Sequence, residues 1–305
     1  MPRRSIPIND TGNDENDTIT SSTHPLIENQ ENLNDGASPQ VIRRNFLGMT
    51  ILFAINHGCT VSVLGLANAR LGSIGVWQSG MLYASYTIAA LYGASYFVKR
   101  LGSRNGLVMG LGMSASYVTS FFLATVIVEK NEHMIWLQSF VAIAGAVIGG
   151  IGSSILWVSQ GTYFACASQL FASKQDGAMV EDVTSRFGGS FAFLFLLFEV
   201  LLRLMSTFLI ETAGLSWKVI FGLYTLFSIL PVLFMLGILD VERDQHEYNS
   251  LSTDDNASDD EVAYEEDDVD SPSHKATAAL NLLRNDPKAK YLAPMSVLFG
   301  ISTSL

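Results

Sequence analysis

Apolar residues in this chain fall into long runs rather than into the alternating or one-faced stripes of a soluble fold. Six runs stand out, at Phe46–Ala67, Gln78–Val98, Gly106–Val128, Ile135–Val158, Gly188–Ile210 and Leu215–Leu239. A hydrocarbon layer of about 30 Å is crossed by about 20 residues of helix, and backbone exposed to lipid must satisfy its hydrogen bonds within its own segment. Each run therefore predicts one transmembrane helix, and the fold class predicted is all-α and polytopic. A seventh run starts near Lys290 and reaches Leu305 with too few residues to cross, so the sequence reads as one cut short.

The polar stretches between the runs set the organisation. Residues 1–44 are rich in Asn, Asp, Ser and Thr and read as a disordered tail, and the six-helix bundle occupies 45–240. An acidic linker follows at 241–289, and 290–305 begins the seventh helix. Within the linker, Ala276–Leu283 places Leu280 and Leu283 on one side and reads as a segment lying on the membrane surface. Asn285 or Asp286 can cap the next helix, with Pro287 in its first turn. Six helices, a long linker and the start of another helix is the layout of a two-half transporter, each half built from two three-helix inverted repeats.

Composition agrees with the bilayer: 49% of residues are apolar and only 15% charged, against roughly 25% charged in soluble domains. The net charge of −11 is local, since Asp240 to Asp270 holds fourteen acids against Arg243 and leaves +2 for the rest. Lys and Arg in short loops set orientation. One side collects Arg3, Arg4, Arg43, Arg44, Lys99, Arg100, Arg104, Lys174, Arg186, Arg243, Lys275, Arg284, Lys288 and Lys290, whereas the other has Arg70, Lys130 and Lys218. The N-terminus and the acidic linker are thus expected to be cytoplasmic. The sequons at Asn9, Asn16 and Asn256 share that side and are expected to carry no glycan. Cys59 and Cys166 form neither a disulfide framework nor a metal-ligand spacing, and no cofactor or metal site is expected. No exposed basic patch points to nucleic acid, and no nucleophile elbow or nucleotide loop points to an enzyme.

The candidate chemistry lies inside the spans. Glu199 and Arg203 sit near the centre of the fifth, where each costs about 2.5–3.5 kcal/mol on insertion scales. Their i, i+4 spacing places them on one helix face. They read either as a self-neutralising pair that orients the helix or as the lining of a polar cavity. Asn56 and His57 lie halfway along the first span, either as interhelical hydrogen-bonding groups or as a proton relay or cation-site neighbour. Gly58, next to them, could loosen the helix. Gly106 and Gly110 in the third span, with Gly145, Gly149 and Gly152 in the fourth, recur at spacings that let helices approach closely. Ser252 and Ser258, each followed by acids, suit an acidophilic kinase.

The stretch Ser153–Ser168, SSILWVSQGTYFACAS, resembles the tryptophan, glutamine, glycine, tyrosine signature of the uncoordinated-93-like family, also called ion channel regulatory proteins, within the major facilitator superfamily. The matching residues are Trp157, Gln160, Gly161, Thr162 and Tyr163. Further likeness comes from Val98–Gly110, Phe187–Phe195 and Leu280–Gly300, so the resemblance covers about Asn45 to Leu305. It implies the N-terminal six-helix half of a major-facilitator-type fold plus the start of helix seven. It also implies an accessory subunit of a membrane channel or receptor, with a helical partner in the bilayer. The alternative is a secondary transporter with Glu199, Arg203, Asn56, His57 and Gln160 as polar lining. Lys99 stands where the superfamily pattern has an acid before its basic cluster, leaving Lys99, Arg100 and Arg104 as a basic turn suited to helix ends and lipid phosphates. Trp157 and Tyr163 read equally as aromatic anchors at the interface.

Overall fold

The computed structural model describes residues 38–130, 134–175 and 177–240. The tail up to residue 37, Ser252, Ser258, the sequons, the rest of the linker and the start of a seventh helix lie outside the described residues. Where the chain is described, all regular structure is helical: α1 Pro39–Leu71, α2 Ser73–Tyr92, α3 Ala94–Leu101, α4 Ser103–Lys130, α5 Ile135–Ser173, α6 Val180–Glu211 and α7 Trp217–Met235. Local chemistry sets several ends. Pro39 opens α1 at a position where its missing N–H is not needed. Gly72, at φ 56°, ends it in the left-handed region, and the chain turns so sharply there that a Cβ on Gly75 would lie 2.2 Å from the Ala67 carbonyl oxygen. Glu181 and Asp182 in the first turn of α6 face its positive dipole end.

Among the described residues five helices, α1, α4, α5, α6 and α7, are long and apolar enough to cross a membrane by length and composition. The second expected span, Gln78–Val98, is not one helix. It breaks at Gly93 (φ −133°, ψ −36°) into α2 and α3, and Tyr83, Tyr86, Tyr92 and Tyr96 dilute its apolar character. The other expected boundaries are shorter than the helices, because the hydrogen-bond ladder does not stop where lipid stops. The 39 residues of α5 run to Ser173, about 58 Å at 1.5 Å per residue, well past Val158. Conversely, α7 stops at Met235, and Leu236–Leu239 follow as a turn rather than as its last turn of helix. Helix α1 passes through Gly58 without a break. A Cβ there would meet Leu202 Cδ1 at 2.6 Å, so this glycine admits α6 instead of loosening α1.

Two buried layers show how the helices alternate. One gathers Ile42, Phe46 and Phe53 from the start of α1, Leu107 and Leu111 from the start of α4, and Phe187 from the start of α6, with Tyr163 and Leu170 late in α5 and Met235 of α7. The other joins Val63 and Ala67 late in α1 to Phe121 and Ala124 of α4, Ala142 of α5 and Phe221 of α7. The chain therefore crosses up and down through both layers. The most extensive packing is α4 on α5, followed by α2 on α5 and α1 on α6. All five candidate packing glycines lie on the α4–α5 seam. A Cβ on Gly106 would strike Ser159, on Gly110 Leu156, on Gly145 Ser120, on Gly149 Tyr117 and on Gly152 Met113, each at 2.8 Å or less. By contrast, only 11% of the most apolar window of α6 is buried, against 56% for α1, so α6 shows the surroundings a long apolar face.

Candidate functional site

A cavity of about 330 Å³ lies between α1, α2, α5 and α6, near the lower end of the roughly 300–1,000 Å³ usual for ligand sites. Helix α1 lines it with His57, Thr60, Val61 and Leu64, and α2 with Leu82, Tyr83 and Tyr86. The remaining walls come from Ser153 and Trp157 of α5 and from Phe195 and Glu199 of α6. His57, Trp157 and Glu199 come from three helices, and only packing brings them to one space.

The aromatic side of the cavity is ordered by edge and face contacts. Trp157 meets His57 edge-on at 5.5 Å and Phe195 edge-on at 5.7 Å between ring centroids. His57 lies over Phe195 at 5.0 Å and stacks on Phe53 at 5.9 Å. The two edge-on contacts of Trp157 match the positive edge of one ring to the negative face of another. One turn along α6 from Phe195 is Glu199, whose Oε1 accepts a hydrogen bond from Arg203 Nη2 at 2.8 Å. The side chains are 13% and 46% exposed respectively, so the carboxylate is held inward and the guanidinium outward.

That asymmetry gives a testable coupling. Removing either charge leaves the other without its partner in an apolar span, whereas removing both leaves a neutral pair. Glu199→Gln and Arg203→Leu are each expected to destabilise the protein. The double variant should lose less than the sum, with a coupling of about 1–2 kcal/mol after allowance for the exposure of Arg203. Thermal unfolding of the four purified proteins measures it, and additive losses would show that the two charges do not support each other.

Other sequence candidates lie elsewhere. Asn56 is fully buried and donates through Nδ2 to the Ser228 carbonyl at 2.8 Å and to the Leu111 carbonyl at 3.3 Å, tying α1 to α7 and α4. Gln160 is buried but does not line the cavity. Thr162 spends its hydroxyl on the Val158 carbonyl of its own helix at 3.1 Å. A Cβ on Gly161 would meet open space. Tyr163 is fully buried rather than anchored at an interface, and donates to the Leu239 carbonyl at 3.3 Å.

Tyr163 belongs to a convergence around the end of α7. Arg104 donates from Nη2 to the Leu236 carbonyl, and the Leu239 N–H donates to Asn45 Oδ1 at 3.2 Å. A cation on terminal carbonyls is favoured by the helix dipole, so one arginine of the basic turn serves a helix end. Arg100 donates to the Tyr96 hydroxyl at 3.0 Å, and Lys99 stands beside it in the last turn of α3. Among the described residues no group of three or more His, Cys, Asp and Glu gathers to hold a metal.

Tyr83, Tyr86, Thr60, Ser153 and Phe195, with the apolar Val61, Leu64 and Leu82, are the cavity residues that sequence reasoning did not single out. Tyr83 and Tyr86 did leave a signal, since two tyrosines three apart in an apolar run mark a polar face on one side of that helix.

In comparison with known proteins, the chain is similar to UNC93-like protein 3 of Arabidopsis thaliana, with 25% identity over 198 residues. The match covers 63% of this chain and 39% of that protein, so the chain spans well under two thirds of its relative's length. No family model and no solved structure matches the chain. With its apolar helices, this likeness supports an integral, multi-pass membrane protein that is at most a distant UNC93-like homologue.

Proposed function

We propose that the chain is the N-terminal six-helix half of a major-facilitator-type protein of UNC93-like kind, acting as an accessory subunit of a membrane channel or receptor. Its N-terminus is cytoplasmic and it is not an enzyme. One observation carries this reading. Helix α6 presents Phe193, Leu196, Val200, Leu204 and Phe208 outward, and in their midst Arg203 is 46% exposed. A guanidinium facing hydrocarbon at mid-span costs about 2.5–3.5 kcal/mol or more. A transmembrane helix that covers this face and brings Arg203 a second acceptor beside Glu199 lowers that cost, and the surrounding apolar residues supply the contact area.

The test is photo-crosslinking in native membranes from Leu204 on α6 and from Leu233 on α7, both 60% exposed. Protein adducts of defined mass are expected from Leu204, and lipid adducts from Leu233. Lipid adducts alone from Leu204 would remove the basis for a partner on this face. A second reading, secondary transport, is favoured by the cavity that joins Glu199 and His57 across helices. It predicts saturable solute uptake into proteoliposomes without any partner.

A further inference from the structure

We propose that the cavity between α1, α2, α5 and α6 is a binding site for a small protonated amine with an aromatic or aliphatic body. The inference stands apart from whether the protein works as a subunit or as a transporter, because it rests on the walls of the cavity.

Three observations converge on that chemistry. First, Glu199 is the charged group of the lining, and Arg203 is not part of it. The hydrogen bond from Arg203 falls on Oε1 of the carboxylate. A carboxylate has room for several donors on its two oxygens, so the cavity faces an acceptor carrying negative charge. Second, two lining hydroxyls, of Thr60 and Ser153, can accept as well. The Thr60 hydroxyl proton is spent on the Asn56 carbonyl at 3.1 Å, which leaves its lone pairs for the cavity. The Ser153 hydroxyl lies 3.4 Å from that of Ser114, and either can serve as donor to the other. Third, the walls around these acceptors include Trp157, Tyr83, Tyr86 and Phe195, and aromatic faces attract a cation within about 6 Å.

Together these features select a ligand that donates, carries positive charge and is otherwise apolar. An anion would meet Glu199 with no cation in the lining to balance it. A bare metal ion would find an apolar wall where it needs several oxygens.

The test uses the full chain in lipid nanodiscs and follows Trp157 fluorescence in a background where Trp77, Trp136 and Trp217 are phenylalanine. Phenethylamine is titrated against phenethyl alcohol and phenylacetate, which share its ring but not its charge. Saturable quenching by the amine is expected, with both controls at least tenfold weaker. Glu199→Gln should weaken the amine at least tenfold and leave the alcohol unchanged. Where Glu199→Gln does not accumulate, the double variant Glu199→Gln with Arg203→Gln serves instead and should behave the same way. Equal binding of amine and alcohol, or no saturable response to the amine, overturns the proposal. So does amine binding that survives loss of the carboxylate.

Discussion

Gly110→Val is expected to remove folded protein from the membrane fraction. The Cβ of any residue there would sit 2.7 Å from Leu156 Cβ and 2.8 Å from the Leu156 Cα and N atoms. These are atoms of a helix backbone, which no rotamer change moves aside. To admit valine, α4 and α5 must separate, and the contacts at Gly106, Gly145, Gly149 and Gly152 loosen with them. Overpacking usually costs about 1–3 kcal/mol, and against two rigid backbones the loss should reach or exceed the top of that range. Helices in lipid have little hydrophobic drive to hold them together and depend on such close packing. Gly161→Ala is the matched control: its Cβ meets open space, and alanine is the better helix former. Detergent-extracted protein should run as one monodisperse peak for Gly161→Ala and be absent or aggregated for Gly110→Val. A Gly110→Val protein melting within a degree or two of the parent would sink the close-packed seam.

The second large effect is expected at Asn56, where the sign of a polar group matters more than its presence. The two neighbours of Nδ2 are carbonyl oxygens, of Ser228 at 2.8 Å and of Leu111 at 3.3 Å. Asn56→Ala forfeits two hydrogen bonds worth about 1 kcal/mol each. Asn56→Asp sets a carboxylate against the same carbonyls in a fully buried position. The ionised acid has nothing to donate, and burying an unpaired charge costs at least about 3 kcal/mol. Aspartate should therefore be clearly worse than alanine, although it keeps the shape of asparagine. Denaturant or thermal unfolding of the two variants decides this. If aspartate is tolerated as well as alanine, Asn56 is not the donor that joins α1 to α4 and α7.

Hydropathy made five of the transmembrane helices legible, because an unbroken apolar run of that length has few other uses. It misjudged the second. Glycine is common in apolar spans, and nothing local to Tyr92-Gly93-Ala94 announces a break between helices. Helix ends were misplaced for a related reason: apolar runs report contact with lipid, whereas the ladder of α5 continues past its apolar run as far as Ser173. Within the site, Glu199 and Arg203 were readable because i, i+4 spacing alone brings them together. The approach of His57 to Trp157 and Phe195 was not, since it depends on how three helices pack. For the same reason Asn56, next to His57 in sequence, turns to different helices and lies outside the cavity.

Leu236–Leu239 are held by Arg104, Tyr163 and Asn45, from α4, α5 and α1. In mechanical terms the exit of α7 is a moored point rather than a free end. Tension applied from beyond Asp240 is borne by three other helices at once, and bends the bundle as a unit before it unwinds α7. A pull arriving through the chain after Asp240 would thus be felt across that whole end of the bundle.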